Sequence, residues 1–324
     1  MNQDLHVVLG ATGSLGAALV RHLGLAGRPV RAVARDAQRA RALLAGRVPA
    51  GAAAQVEFEA ADATDRAATV HACRSAGVVH LCVNAPYPQW PQVMPAAVES
   101  ALAGAREAGA RLVFPGNVYG YGRFQKVPAS EDHPRAATTT KGRLRNTLER
   151  WLSEADRAGE VRVAIARMPD FFGPNVVHAG IAPIFEAALA GRRARWLGRL
   201  DVPHDMLFID DAAAACALLA GSDRAFGRVW HVPGAGPVTG RQFIGIVFAA
   251  AGARPRAGAL GRPMVRLAAL FSPLVREVVE MLYLWEEPQV LDGSRFAAAF
   301  PEFRFTPHEE AARRTLEWFR ARRA

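Results

Sequence analysis

The stretch Leu5-His6-Val7-Val8-Leu9-Gly10-Ala11-Thr12-Gly13-Ser14-Leu15-Gly16-Ala17-Ala18-Leu19-Val20 leaves a chain few choices of fold. An apolar run, a glycine-rich turn and a small-residue helix follow one another without a break. Gly10 lets the chain leave a buried strand in a tight turn. Gly13 removes the side chain that would hold a phosphate off the backbone, and Gly16 lets helix and strand pack closely. The backbone at Thr12, Ser14 and Leu15 then faces a pyrophosphate, whose charge the helix dipole favours. An ordinary glycine turn is the alternative. The strand before it and the helix after it favour dinucleotide binding.

The rest of the chain continues the rhythm. Apolar strands are expected at Pro29–Ala34, Val56–Glu59, Val78–Val83, Leu112–Phe114 and Val161–Ala166. Helical stretches at 36–44, 67–75, 93–108 and 141–157 separate them, around a loop from Arg123 to Thr140. Such alternation specifies a parallel sheet covered on both faces. After Phe171-Phe172-Gly173-Pro174 the pattern becomes irregular; Val229-Trp230-His231-Val232 reads as a returning strand, and Pro273 interrupts an apolar helical stretch from Met264 to Trp285. The expectation is therefore a doubly wound α/β Rossmann domain over residues 1–170, with returning pieces near 205–232. A smaller, mostly helical substrate-binding domain is expected from 171–204 and 233–324.

Composition narrows the partners. Net charge is +10, but Lys126 and Lys141 are the only lysines, and the arginines are scattered without interleaved aromatics. This argues against nucleic acid. Cys73, Cys82 and Cys216 lack metal-ligand spacing, as do the histidines, so no metal site is expected. No signal peptide is legible and no apolar run reaches the ~18 residues of a membrane span, which points to a cytoplasmic protein without a membrane partner.

Ligand contacts are expected beyond the strand ends. Strand two ends Ala32-Val33-Ala34-Arg35-Asp36. An arginine there holds a 2′-phosphate, so Arg35 favours NADP, while Asp36 keeps NAD open. Asp62, at the tip of strand three, is placed for the adenine amino group, or it caps the helix that begins near Thr64. Asn84, Ala85 and Pro86 let the chain cross beneath the nicotinamide ribose. Tyr87 and Trp90 stand beside substrate or serve as packing.

Four ordered segments resemble the extended short-chain dehydrogenase/reductase family of NAD(P)-dependent epimerases, dehydratases and reductases. They are Gly10-x-x-Gly13-x-x-Gly16, Val118-Tyr119-Gly120, Arg167-Met168-Pro169-Asp170-Phe171-Phe172-Gly173-Pro174 and His204-Asp205-Met206-Leu207-Phe208-Ile209-Asp210-Asp211. The resemblance places Pro169 with the cofactor and Phe171 and His204 with the substrate. It also implies a homodimer built on the helices at 91–108 and 141–157. The departures concern catalysis. The family's Ser/Thr slot holds Pro115, its tyrosine slot Lys141 and its lysine slot Arg145. Lys141 is a candidate acid or base, or a surface residue starting a helix. Arg145 is a candidate for the nicotinamide ribose or an anionic substrate, and Asn117 and Tyr119 are candidate donors to a carbonyl oxygen. NADP-dependent oxidation or reduction of a small carbonyl or alcohol is the leading expectation. A sugar-nucleotide epimerase or dehydratase with bound NAD, and a catalytically silent NADP-binding regulator, are the alternatives.

Overall fold

The computed structural model describes residues 4–45, 55–178 and 180–322. The chain divides into two compact units. The first comprises Met1–Gly120, Arg143–Arg167 and Ala212–Trp230; the second comprises Tyr121–Gly142, Met168–Asp211 and His231–Ala324. Residues 121–142, which the sequence reading gives to the Rossmann domain, thus belong with the second unit.

The first unit alternates strictly at its start: β1 (His6–Leu9), α1 (Ser14–Leu25), β2 (Val30–Ala34), α2 (Ala37–Leu44), β3 (Val56–Ala60), α3 (Arg66–Ala72), β4 (Val78–Leu81), α4 (Trp90–Ala108) and β5 (Arg111–Asn117). After α5 (Thr140–Arg157) comes β6 (Val163–Met168). Every residue of β1, β2, β4 and β6 is buried, as strands covered on both faces must be. The second unit contributes β7 (Asp170–Phe172), α6 (Ala182–Leu189), β8 (Ala194–Leu197), β9 (Pro203–His204) and β10 (Met206–Phe208). α7 (Ile209–Ala220) then leads to β11 (Arg228–His231), which joins the first unit's sheet.

That sheet has seven strands in the order β11-β6-β5-β4-β1-β2-β3. Its β1–β2, β1–β4, β2–β3 and β4–β5 pairs are parallel. The order reverses at β1, so the carboxyl ends of β1 and β4 flank the point where doubly wound sheets take their ligand. Val7, Leu9, Leu81, Leu112 and Phe114 of the sheet, with Met94, Val98 and Leu102 of α4, form one buried apolar cluster.

The second unit closes with β12 (Val238–Thr239), α8 (Gly240–Ala251), β13 (Ala257–Leu260), α9 (Arg262–Ala269), α10 (Pro273–Val279), α11 (Tyr283–Glu286), α12 (Ser294–Ala299) and α13 (His308–Ala321). Helices dominate it, joined by three two-stranded ladders, β7–β10, β8–β13 and β9–β12. Phe172, Phe185, Phe208 and Phe243 are buried in its core, with Phe185 stacked on Phe319 of α13. The apolar stretch 264–285 divides at Pro273, which becomes the first residue of α10 with Ser272 as its cap.

Candidate active site

The glycine turn is a close-packed cradle. Gly10 has φ +85°, and a Cβ there would lie 2.9 Å from the Cys82 carbonyl oxygen. A Cβ on Gly16 would overlap the Gly10 carbonyl oxygen, which explains the small residue. Gly13 caps α1 from outside the helix. Its Cβ would meet the Gly10 oxygen at 3.3 Å and the Cys82 oxygen at 3.7 Å, so a side chain there would press on the turn as well as on a bound phosphate. The first-turn N–H groups of a helix have no intrahelical partner and form an anion site. Backbone brought this close, with α1 behind it, fits a pyrophosphate.

Around this turn the adenosine-side candidates separate. Arg35 follows the end of β2 and is exposed. Asp36 caps α2, its Oδ1 accepting from Arg39 N at 2.9 Å. Asp62 closes a local turn instead of capping a helix; its Oδ1 accepts from Thr64 N at 2.9 Å and Thr64 Oγ1 at 2.8 Å. Those bonds, and Arg35 nearby, hold its carboxyl below the usual range. The helix cap is Asp65, accepting from Ala68 N at 3.0 Å, because α3 starts at Arg66 and not near Thr64.

At the carboxyl ends of β4 and β5 an aromatic box forms around one cation. Arg145 is 7% exposed, with its guanidinium carbon 4.6 Å from the Trp90 ring centroid and 5.7 Å from that of Phe114. Its Nε has no hydrogen-bond partner. Burial pushes its guanidinium pKa below the ordinary arginine value, partly offset by the neighbouring Tyr119, Glu149 and Tyr87. Glu149 itself is paired with the buried Arg167. The Tyr87 and Tyr119 hydroxyls are hydrogen bonded at 2.8 Å, and Tyr87 meets Trp90 edge-on. Trp90 Nε1 donates to Ala85 O at 2.8 Å, fixing the indole against the β4 exit. Asn117 spends its side-chain oxygen on Tyr119 N at 3.1 Å, which fixes the turn carrying Tyr119. Asn84 and Pro86 are exposed beside the box, and Ala85 is half-buried. A buried cation without a full set of bonds is costly. This one suits an anionic or hydroxyl-bearing ligand.

Lys141 lies in the second unit and has a different setting. Its side chain is buried, and Nζ donates to Glu277 Oε2 at 2.5 Å and Glu280 Oε1 at 2.6 Å. The surface-residue alternative is therefore wrong. Two carboxylates from α10 and the turn after it hold the amine. Thr140 N also donates to Glu280 at 3.0 Å.

The remaining candidates in the second unit are structural in their contacts. His204 is 2% exposed among the rings of Trp196 and Trp285, and burial pushes it down to about 4. The acidic residues of its motif tie down the C-terminal segments. Asp205 accepts from Leu291 N at 2.7 Å, Asp211 from Thr306 N and Oγ1, and Asp210 pairs with Arg314. Pro169 is buried, and Phe171 is half-buried in the β7–β10 ladder. Among the described residues no cluster of His, Cys, Asp and Glu is arranged for a metal ion. No described helix is long and apolar enough to cross a membrane.

Strand order and glycine cradle together define the class: a Rossmann-type dinucleotide fold. The sequence matches the NAD dependent epimerase/dehydratase family over residues 6–232, and the chain belongs to that family of enzymes. No curated protein matches it significantly. Its fold is similar to the Bordetella bronchiseptica enzyme WbmH in complex with NAD+ (18% identity, 98% of each chain, TM-score 0.73). It is also similar to UDP-glucose 4-epimerase from Thermotoga maritima with UDP-glucose (18%, 99% of this chain and 100% of that one, 0.75). A third similar structure is the dTDP-glucose 4,6-dehydratase DesIV from Streptomyces venezuelae with NAD bound (18%, 98% of each chain, 0.76).

Proposed function

We propose that the chain is an NADP-preferring oxidoreductase of this family, acting on a carbonyl or alcohol of a small organic substrate. The observation that carries it is the Tyr87–Tyr119 hydroxyl pair beside the buried Arg145. When bound, the dinucleotide supplies hydride chemistry. Tyr119 holds or moves the proton at the substrate oxygen, with the Tyr87 hydroxyl as its relay. Arg145 stabilises negative charge developing on that oxygen or holds a ribose hydroxyl. Lys141, committed to Glu277 and Glu280, positions α10 instead of exchanging a proton. Arg35 holds the 2′-phosphate, since Asp36 is engaged as a cap. We assign α4 and the 143–157 part of α5 to a two-fold contact.

The test is NADPH turnover with a panel of small aldehydes and ketones, comparing the parent with Tyr119→Phe. Turnover that falls at least about a hundredfold with cofactor affinity retained supports the reading; unchanged turnover overturns it. The full-length likeness to sugar-nucleotide epimerases and dehydratases favours a second reading, an NAD-retaining enzyme on such a substrate. Stoichiometric NAD released by denaturing the purified protein would establish that reading. Tight NADPH binding with no turnover on either substrate class would leave the regulatory alternative.

A further inference from the structure

The segment leading from β13 through α9 to α10 serves neither the cradle nor the aromatic box. α9 buries Val265 and Ala269, yet Met264, Leu267, Leu270 and Phe271 on and just after it are 50%, 62%, 70% and 83% exposed. A surface helix keeps one apolar face; this one carries apolar residues on its outward side as well. Among the described residues, the other exposed large apolar side chains are Leu25, Val127 and Val177, far apart in sequence. An apolar ridge concentrated in one short segment marks an interaction surface.

Charge decides what covers it. No Asp or Glu occurs from Arg224 to Arg276, although the chain holds 30 of them. Arg266 and Arg276 are exposed on α9 and α10, and Arg254 and Arg256 on the approach to β13. β8 lies alongside β13 and sets exposed Arg195 opposite Gly258. A general excess of arginine explains the cations but not the missing carboxylates. A second copy of the same face would bring like charges together, and a nucleic acid would leave the ridge in water. A bilayer with anionic headgroups complements both features: the apolar side chains enter the headgroup–acyl boundary and the guanidinium groups meet lipid phosphates.

We infer that the second unit docks peripherally on an anionic lipid bilayer through Met264, Leu267, Leu270 and Phe271, with Arg266 and Arg276 as charge partners. The test is flotation of the full chain with phosphatidylglycerol/phosphatidylcholine vesicles, against phosphatidylcholine alone. Binding to the anionic vesicles only, weakened by salt, is expected. Leu267→Glu and Phe271→Glu should each weaken it about tenfold or more, and Arg266→Glu about fivefold, with dinucleotide affinity and near-ultraviolet dichroism unchanged. Failure to float with anionic vesicles overturns the inference. So does flotation that Leu267→Glu and Phe271→Glu leave intact. A stable dimer that Phe271→Glu dissociates, and that does not bind vesicles, would give the ridge to a second copy instead.

Discussion

Arg145 and Lys141 are four residues apart in sequence, both cationic and both buried, yet their surroundings are opposite. Lys141 meets two carboxylates within hydrogen-bond distance. Arg145 meets aromatic faces and phenols, and its Nε bonds to nothing. A buried cation hydrogen bonded to two carboxylates is electrostatically complete, whereas one that no carboxylate bonds directly gains from a ligand. On the function proposed above, the two slots hold one cation that belongs to the architecture and one that serves the chemistry. Residue type alone would rank them the other way, because lysine titrates and arginine does not.

The comparison is broken or sharpened most strongly at Arg145. Arg145→Met should lower kcat by roughly a hundredfold to a thousandfold, as loss of a charge-stabilising donor does. It should leave thermal stability equal or higher, since an apolar chain of similar length relieves the cost of the buried cation. Steady-state kinetics and a melting curve read the two effects together. Full activity, or an unfolded variant, would erase the contrast.

Lys141→Met should do the reverse. It leaves Glu277 and Glu280 beside each other without their cation, and the loss should be about 2 kcal/mol, or a melting temperature lower by about 4–8 °C. The carboxylates are partly exposed, so solvent screening keeps the cost near or below that figure. Turnover should change less than about tenfold. A fall in kcat as large as that of Arg145→Met would return Lys141 to the chemistry.

Which parts of this were legible beforehand follows from sequence distance. The cradle is local: Gly10, Gly13 and Gly16 lie within seven residues and imply their own packing, and a parallel sheet follows from the alternation after them. The aromatic box is not local. Trp90, Phe114 and Arg145 come from three segments; Trp90 is singled out by its place beyond strand four and Arg145 by the family's lysine slot, while nothing in the sequence points to Phe114. The partners of Lys141 lie 136 and 139 residues away, in a stretch legible only as apolar and interrupted. Asp62 against Asp65 shows the finer limit, because two acidic residues one turn apart compete for one helix start and only geometry selects between them.

A third, smaller effect separates the ends of the dinucleotide. Arg35→Ala should reduce the preference for NADPH over NADH by about tenfold, the worth of one exposed charge-assisted contact, and leave NADH affinity unchanged. Fluorescence titration with both cofactors measures it. Equal affinities in the parent would show that Arg35 does not read the phosphate, while the contrast at Arg145 would stand.

The smallest expected effect is in the acid limb of the stability curve. Burial alone would raise the Glu280 carboxyl, but Lys141 and the Thr140 N–H hold it below the usual carboxylate range. A carboxylate depressed in the folded state contributes stability that is fully present above its unfolded value and is lost as pH falls through its folded one. For Glu280 that window lies below 4.5. His6 and His204 lose stability earlier, because burial lowers both from 6.5 to about 4, and their contribution declines as pH falls across that interval. All variants share the histidine limb. Lys141→Met removes the cation that holds Glu280 down, so below pH 4.5 its stability should fall less steeply than the parent's. Arg145→Met leaves Glu149 paired with Arg167 and should keep the parent's slope. Denaturant midpoints between pH 3 and 7 would show whether the two buried cations differ in this way. Parallel curves for all three proteins would mean that the Lys141 pairs contribute nothing measurable in solution, and the contrast would then rest on kinetics alone.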